Sequence, residues 1–108
     1  MTQYQIINKE GEVTDTYSTL ETARTFRRIN NIITPGHTVR IFPIAPDKEL
    51  EVGDKYMDSL GFVLTINEID TIDNAIYLDD PDERYGDWKG KGAIFPLEDF
   101  KLNMQRII

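Results

Sequence analysis

The sequence contains no cysteine, a single histidine (His37) and only two serines (Ser18 and Ser59). Without cysteine there is no disulfide framework, no thiolate nucleophile and no cysteine-built zinc site. One histidine is too few for a His-Cys zinc site, a two-histidine metal triad or an HExxH protease helix, and beside Pro35-Gly36 it reads as an exposed loop residue. The serines offer little to nucleophilic catalysis. Ser18 stands where a helix cap is expected, and Ser59, in Asp58-Ser59-Leu60-Gly61, lacks the flanks of a nucleophile elbow. Phosphate-cradling loops are missing too: there is no GxxxxGK[ST] and no GxGxxG, and Gly90-Lys91-Gly92 is expected only to turn the chain. No stretch approaches the ~18 apolar residues of a membrane span, and Met1-Thr2-Gln3-Tyr4-Gln5 has no basic n-region. Cytoplasm is the expected compartment, and neither a cofactor nor a metal is expected.

What is there suits a folded domain. At 108 residues the chain can bury one modest core but not two independent ones, so any division is expected to be into two halves of one unit. The net charge is −7, which opposes generic binding to phosphate backbones or anionic lipid. Its distribution says more than its sum. Residues 1–45 carry five bases against four acids, whereas residues 46–108 carry seven against fifteen, so the acidity belongs to the second half.

Tyr4-Gln5-Ile6-Ile7 and Val13-Thr14-Asp15-Thr16-Tyr17 are β-branched or aromatic runs separated by Asn8-Lys9-Glu10-Gly11-Glu12, and predict a β-hairpin turned at Gly11. Ser18-Thr19-Leu20-Glu21 has the spacing of a capping box, so a helix should begin near Thr19. At 100° per residue, Ala23, Phe26, Ile29 and Ile33 share one arc and Arg24, Arg27 and Arg28 the opposite one, which predicts an amphipathic helix with an arginine outer face. It should stop between Asn30-Asn31 and Thr34-Pro35-Gly36, and Val39–Ile44 reads as a third strand. Pro43 and Pro46 with Asp47-Lys48-Glu49 mark the expected joint between a ββαβ module, residues 1–46, and an acidic module, residues 47–108. Five short strands follow: Lys55–Met57, Phe62–Ile66, Ala75–Leu78, Ala93–Phe95 and Phe100–Leu102. Their close spacing predicts a small five-stranded β-barrel or bent antiparallel sheet, and the chain as a whole is α+β.

Val52-Gly53-Asp54-Lys55-Tyr56, the strand led by Gly61, and Phe95-Pro96-Leu97-Glu98-Asp99-Phe100 before the last strand resemble the element order of SH3-like barrels over residues 50–103. In that fold a glycine-aspartate turn opens the first strand and a short helical turn precedes the last. The whole arrangement is similar to small accessory proteins of phages and prophages, which often join a ββα front module to such a barrel. This resemblance implies a fold and almost nothing about chemistry.

Three features remain as candidate sites. The run Asp79-Asp80-Pro81-Asp82-Glu83 invites a hard cation, but counting from Asp80 the sixth residue is Tyr85 and the twelfth Lys91, so the EF-hand pattern fails and a solvated turn is expected. The long connection from Asp79 to Gly92 holds Tyr85 and Trp88 among Asp82, Glu83, Arg84 and Asp87. Aromatic residues ringed by charge fit a partner-binding loop, while Trp88 could equally fold back as a core plug. Arg24, Arg27 and Arg28, joined by Arg40, could contact phosphates or simply face solvent. A chain this small can hardly build a deep cleft, so no enzymatic activity is expected. The expected role is a non-enzymatic interaction module whose acidic half docks on a basic, nucleic-acid-handling partner, binding it or, in one version, inhibiting it by filling a groove meant for phosphate. Its rival is a nucleic-acid-binding module using the arginine face of the helix. An Ile107-Ile108 tail or an unpaired edge strand in the front sheet could support a dimer.

Overall fold

The computed structural model describes residues 2–81, 84–86, 90 and 92–107. Among them the chain is α+β, with two helices and eight strands in two antiparallel sheets. It divides into two units, Met1–Ala45 with Ser59–Gly61, and Pro46–Asp58 with Phe62–Ile108. The turn Ser59–Gly61 groups with the first unit because Val39 N–H donates to the Ser59 carbonyl (2.8 Å) and Gly61 lies against the Arg24 side chain.

In the first unit β1 (Gln3–Ile7), β2 (Val13–Tyr17) and β3 (Thr38–Phe42) form a sheet in the order β2-β1-β3, with α1 (Leu20–Ile33) between β2 and β3 in sequence. The hairpin turn is built by Asn8, whose Oδ1 accepts from the N–H groups of Glu10 (3.1 Å) and Glu12 (2.9 Å), and Gly11 supplies the positive φ. Alternation along the strands sends Ile6, Val39 and Ile41 to one face, where they are buried with Ala23 of α1. β3 stops at Phe42, two residues short of Ile44, because Pro43 has no N–H to continue the ladder.

The helix cap is Thr19, not Ser18. Thr19 has extended backbone angles and its Oγ1 accepts from Thr22 N–H at 3.3 Å. This leaves Glu21 one position too early to complete a capping box. At the other end Thr34 N–H donates to the Asn30 carbonyl (2.9 Å) and closes the last turn. His37, expected to be an exposed loop residue, is buried. Its Nδ1 lies 2.7 Å from the Thr34 carbonyl, which can only accept, so that nitrogen carries the proton. Its backbone N–H donates to Asn31 Oδ1.

The second unit contains β4 (Lys55–Met57), β5 (Val63–Asp70), β6 (Ala75–Asp79), β7 (Ala93–Pro96), α2 (Leu97–Asn103) and β8 (Gln105–Arg106). The sheet order is β7-β6-β5-β4-β8, a meander whose last strand returns to the first, with Gly53-Asp54 opening β4 and a helix before β8. A glycine-aspartate turn before the first strand and a helical turn before the last are both among the expected features. β5 runs four residues beyond Ile66 because a bulge at Asn67 lets the strand bend and keep its pairing with β6. The core gathers Tyr56, Leu64, Ile66, Ile76, Leu78, Ala93 and Phe100. Phe100-Lys101-Leu102 is helical rather than a strand. Pro96 precedes the first turn, Glu98 and Asp99 stand where the helix dipole favours acids, and Phe100 is the buried residue of α2, edge-on to Tyr56 at 4.7 Å. The last strand is instead β8, and Ile107 N–H extends its pairing to the Lys55 carbonyl (2.9 Å); Ile108 lies outside the described residues. Among those residues no helix is long and apolar enough to cross a membrane.

Candidate interaction surfaces

Of the loop set Tyr85, Trp88, Asp82, Glu83 and Asp87, only Tyr85 falls within the described residues. It is tied inward. Its hydroxyl donates to Asp58 Oδ2 at 2.6 Å, its N–H donates to Asp80 Oδ2 at 2.9 Å, and its ring meets Phe95 edge-on at 4.9 Å. The Arg84 guanidinium lies over the Phe62 ring, 4.1 Å from its centroid. Burial of the phenol pushes the Tyr85 pKa well above the usual tyrosine range, and the bond to Asp58 adds to the effect, because ionising the phenol would set it against that carboxylate. Tyr85 is thus tied to the second unit through Asp58, Asp80 and Phe95. Asp80 belongs to this anchor and is buried, which corrects the expectation of a solvated turn for that residue; Asp79 beside it is exposed. Asp58 is buried as well, its Oδ1 accepting from Phe62 N–H at 2.9 Å. Among the described residues no three potential metal ligands come together.

The arginines do not form one outer face. Arg24 and Arg27 are half-buried, and Arg28 is exposed. Arg40 projects from the other side of the sheet, where its Nε (3.1 Å) and Nη2 (2.6 Å) donate to Gln5 Oε1. The helix is rotated from the expected setting. β2 places Asp15 and Tyr17 on the sheet face that also carries Ile6, and these two residues choose their own partners on α1: Asn30 Nδ2 donates to Asp15 Oδ2 (3.2 Å), and Phe26 stacks on Tyr17 (5.1 Å, 11°). Ala23, with no bulk, sits at the closest approach. The apolar arc is consequently turned outward: Phe26 is 40% exposed, Ile29 44%, and Ile32 and Ile33 79% each. This contradicts the placement of Ile29 and Ile33 against the core, while Phe26 keeps its contact with the inner sheet face through Tyr17.

A third surface lies at one end of the barrel unit. Asp70 Oδ1 accepts from the N–H groups of Ile72 (3.0 Å) and Asp73 (3.1 Å), shaping the β5–β6 turn so that Ile72 stands 92% exposed at its tip. Leu97 N–H donates to the Asn74 carbonyl (2.8 Å), which holds the start of α2 beside that turn. The exposed carboxylates of Asp73, Glu98 and Asp99 therefore share one end of the unit with an apolar tip. Sequence reasoning located the acidity in this half but not this end, because the turn and helix meet only through the β6–β7 pairing.

No family model matches the chain, and comparisons with curated proteins and with solved structures found no similar one.

Proposed function

We propose that this chain is a non-enzymatic interaction protein of the phage-accessory kind, which docks its acidic barrel unit on the basic surface of a nucleic-acid-handling protein. The observation that carries this reading is the end of that unit where Ile72 projects between Asp70 and Asp73, beside Glu98 and Asp99. Acidic groups steer a basic partner and speed the encounter, and an exposed aliphatic side chain at the centre supplies area that desolvates on docking. The excess of fifteen acids over seven bases in residues 46–108 sets the sign of the partner. Nucleic-acid binding through Arg24, Arg27, Arg28 and Arg40 has weaker support, since Arg24, Arg27 and Arg40 are half-buried and Arg40 is engaged by Gln5 on the other sheet face.

Pull-down from a bacterial lysate at ~50 mM and ~300 mM salt, with partners identified by mass spectrometry, tests the reading. The expected result is a basic nucleic-acid-handling protein retained at low salt, released at high salt, and lost when Asp73, Glu98 and Asp99 are together replaced by Lys. The same proteins captured by wild type and variant alike would refute it.

A further inference from the structure

We propose that two copies of this chain associate about a two-fold axis through the outer edge of β2 and the apolar flank of α1 on the β2 side of the sheet. The inference concerns the first unit and stands apart from the docking of the barrel unit.

The placement of α1 puts this flank on the β2 side. The Asn30–Asp15 hydrogen bond and the Phe26–Tyr17 stack set one ridge of the helix above β2, while Ala23, on the inner side of that ridge, is fully buried. Stepping 100° per residue, Ile29 and Ile33 fall on the outer side of the same ridge and point past the strand. They project in the direction of the β2 edge that has no neighbour in the sheet order β2-β1-β3.

The two edges of this sheet are treated differently. β3 carries Arg40, ends at Pro43, and has its Val39 N–H taken by the Ser59 carbonyl. β2, Val-Thr-Asp-Thr-Tyr, has no lysine or proline, and its charged residue, Asp15, is turned inward to Asn30. The devices that protect an edge from pairing are thus present on β3, while β2 has only a bulge at Thr14 that leaves Asp15–Tyr17 regular.

Area and charge favour a second copy as the occupant. At the exposures of Phe26, Ile29 and Ile33, the flank offers on the order of 300 Å² of apolar surface per copy. A standard interface takes ~800 Å² per partner, a little over half of it apolar, so the flank supplies the larger part of the apolar share and the strand edge adds main-chain polar groups. Residues 1–45 carry five bases and four acids, so the first unit brings almost no net charge of its own to such an interface. Antiparallel β2–β2 pairing makes the surface self-complementary, gives one six-stranded sheet and brings the two flanks face to face.

Sedimentation equilibrium of the full chain between ~0.01 and ~200 µM tests the proposal, since interfaces of this size dissociate anywhere from the nanomolar to the micromolar range. Wild type should form a dimer. Ile33→Glu should weaken it at least about tenfold, since a carboxylate would be buried against the second copy. Ile29→Glu should do the same, and Ile72→Glu in the barrel unit should change nothing. Both flank positions are exposed enough that circular dichroism should stay native. Hydrogen exchange of the β2 amides should slow as the dimer forms. A wild-type monomer throughout, a dimer indifferent to both flank variants, a dimer broken by Ile72→Glu instead, or β2 exchange independent of concentration would each overturn the proposal.

Discussion

Gly92 and Gly53 form a matched pair for testing the register of the barrel sheet. Both have positive φ, +89° and +95°, a region that costs an L-residue roughly 1–2 kcal/mol. They differ in what an added β-carbon would meet. At Gly53 nothing lies within 4 Å, whereas at Gly92 the β-carbon would be driven into the Leu78 carbonyl oxygen. Leu78 cannot yield easily, being fully buried on β6 and paired with Ile66 on one side and Ala93 on the other. Moving that carbonyl stretches ladder bonds worth about 0.5–1.5 kcal/mol each and adds overpacking of about 1–3 kcal/mol. Gly92→Ala should therefore cost about 3–5 kcal/mol and Gly53→Ala about 1–2 kcal/mol. In urea, with ~2 kcal/mol per M as a typical slope, the two midpoints should separate by about 1 M when followed by far-UV circular dichroism. Equal losses would refute the close approach of Gly92 to β6, and with it the β6–β7 register that positions α2 beside the acidic turn.

Replacing Tyr85 by Phe removes its charge-assisted bond to Asp58 and should cost about 1.5–3 kcal/mol in the same assay. The Tyr85 pKa is raised on folding, so the phenol's contribution is complete below the unfolded value near 10 and is lost as pH rises above it. The Phe variant should consequently lose less stability than wild type between pH ~9.5 and ~11. Tyr56, raised chiefly by burial and next by Asp54, leaves a residual slope of the same sign; an unchanged slope would show that the Tyr85 phenol is not held protonated. Thr19→Ala should cost about 1 kcal/mol and Ser18→Ala under about 0.5 kcal/mol; the reverse ranking would return the helix cap to Ser18.

Much of the fold was legible because it rests on local signals. The turn at Gly11, the helix stop before Pro35, and the short runs at Lys55–Met57 and Ala75–Leu78 each carry their own punctuation. The failures come where a partner distant in sequence decides. Hydrophobic periodicity places Phe26, Ile29 and Ile33 on one arc, but it does not say that Asp15 and Tyr17 will take Asn30 and Phe26 and so turn the arc away from the core. Likewise Phe100-Lys101-Leu102 is apolar enough for a strand, and only the packing of Phe100 against Tyr56 makes the helix pay there. Asp58 and Asp80 read as turn residues until Tyr85, 27 residues beyond the first of them, joins the two. The acidity of the second half was plain from composition, whereas its assembly around Ile72 needed the contact between α2 and the β5–β6 turn.

The proposed docking surface is tested most directly by hydrogen exchange on the chain in complex with the partner retained at ~50 mM salt. The account predicts slowed exchange at Thr71–Asn74 and Leu97–Lys101, and loss of both the protection and the complex as salt is raised. Protection confined to residues 2–45, or a complex indifferent to salt, would contradict it.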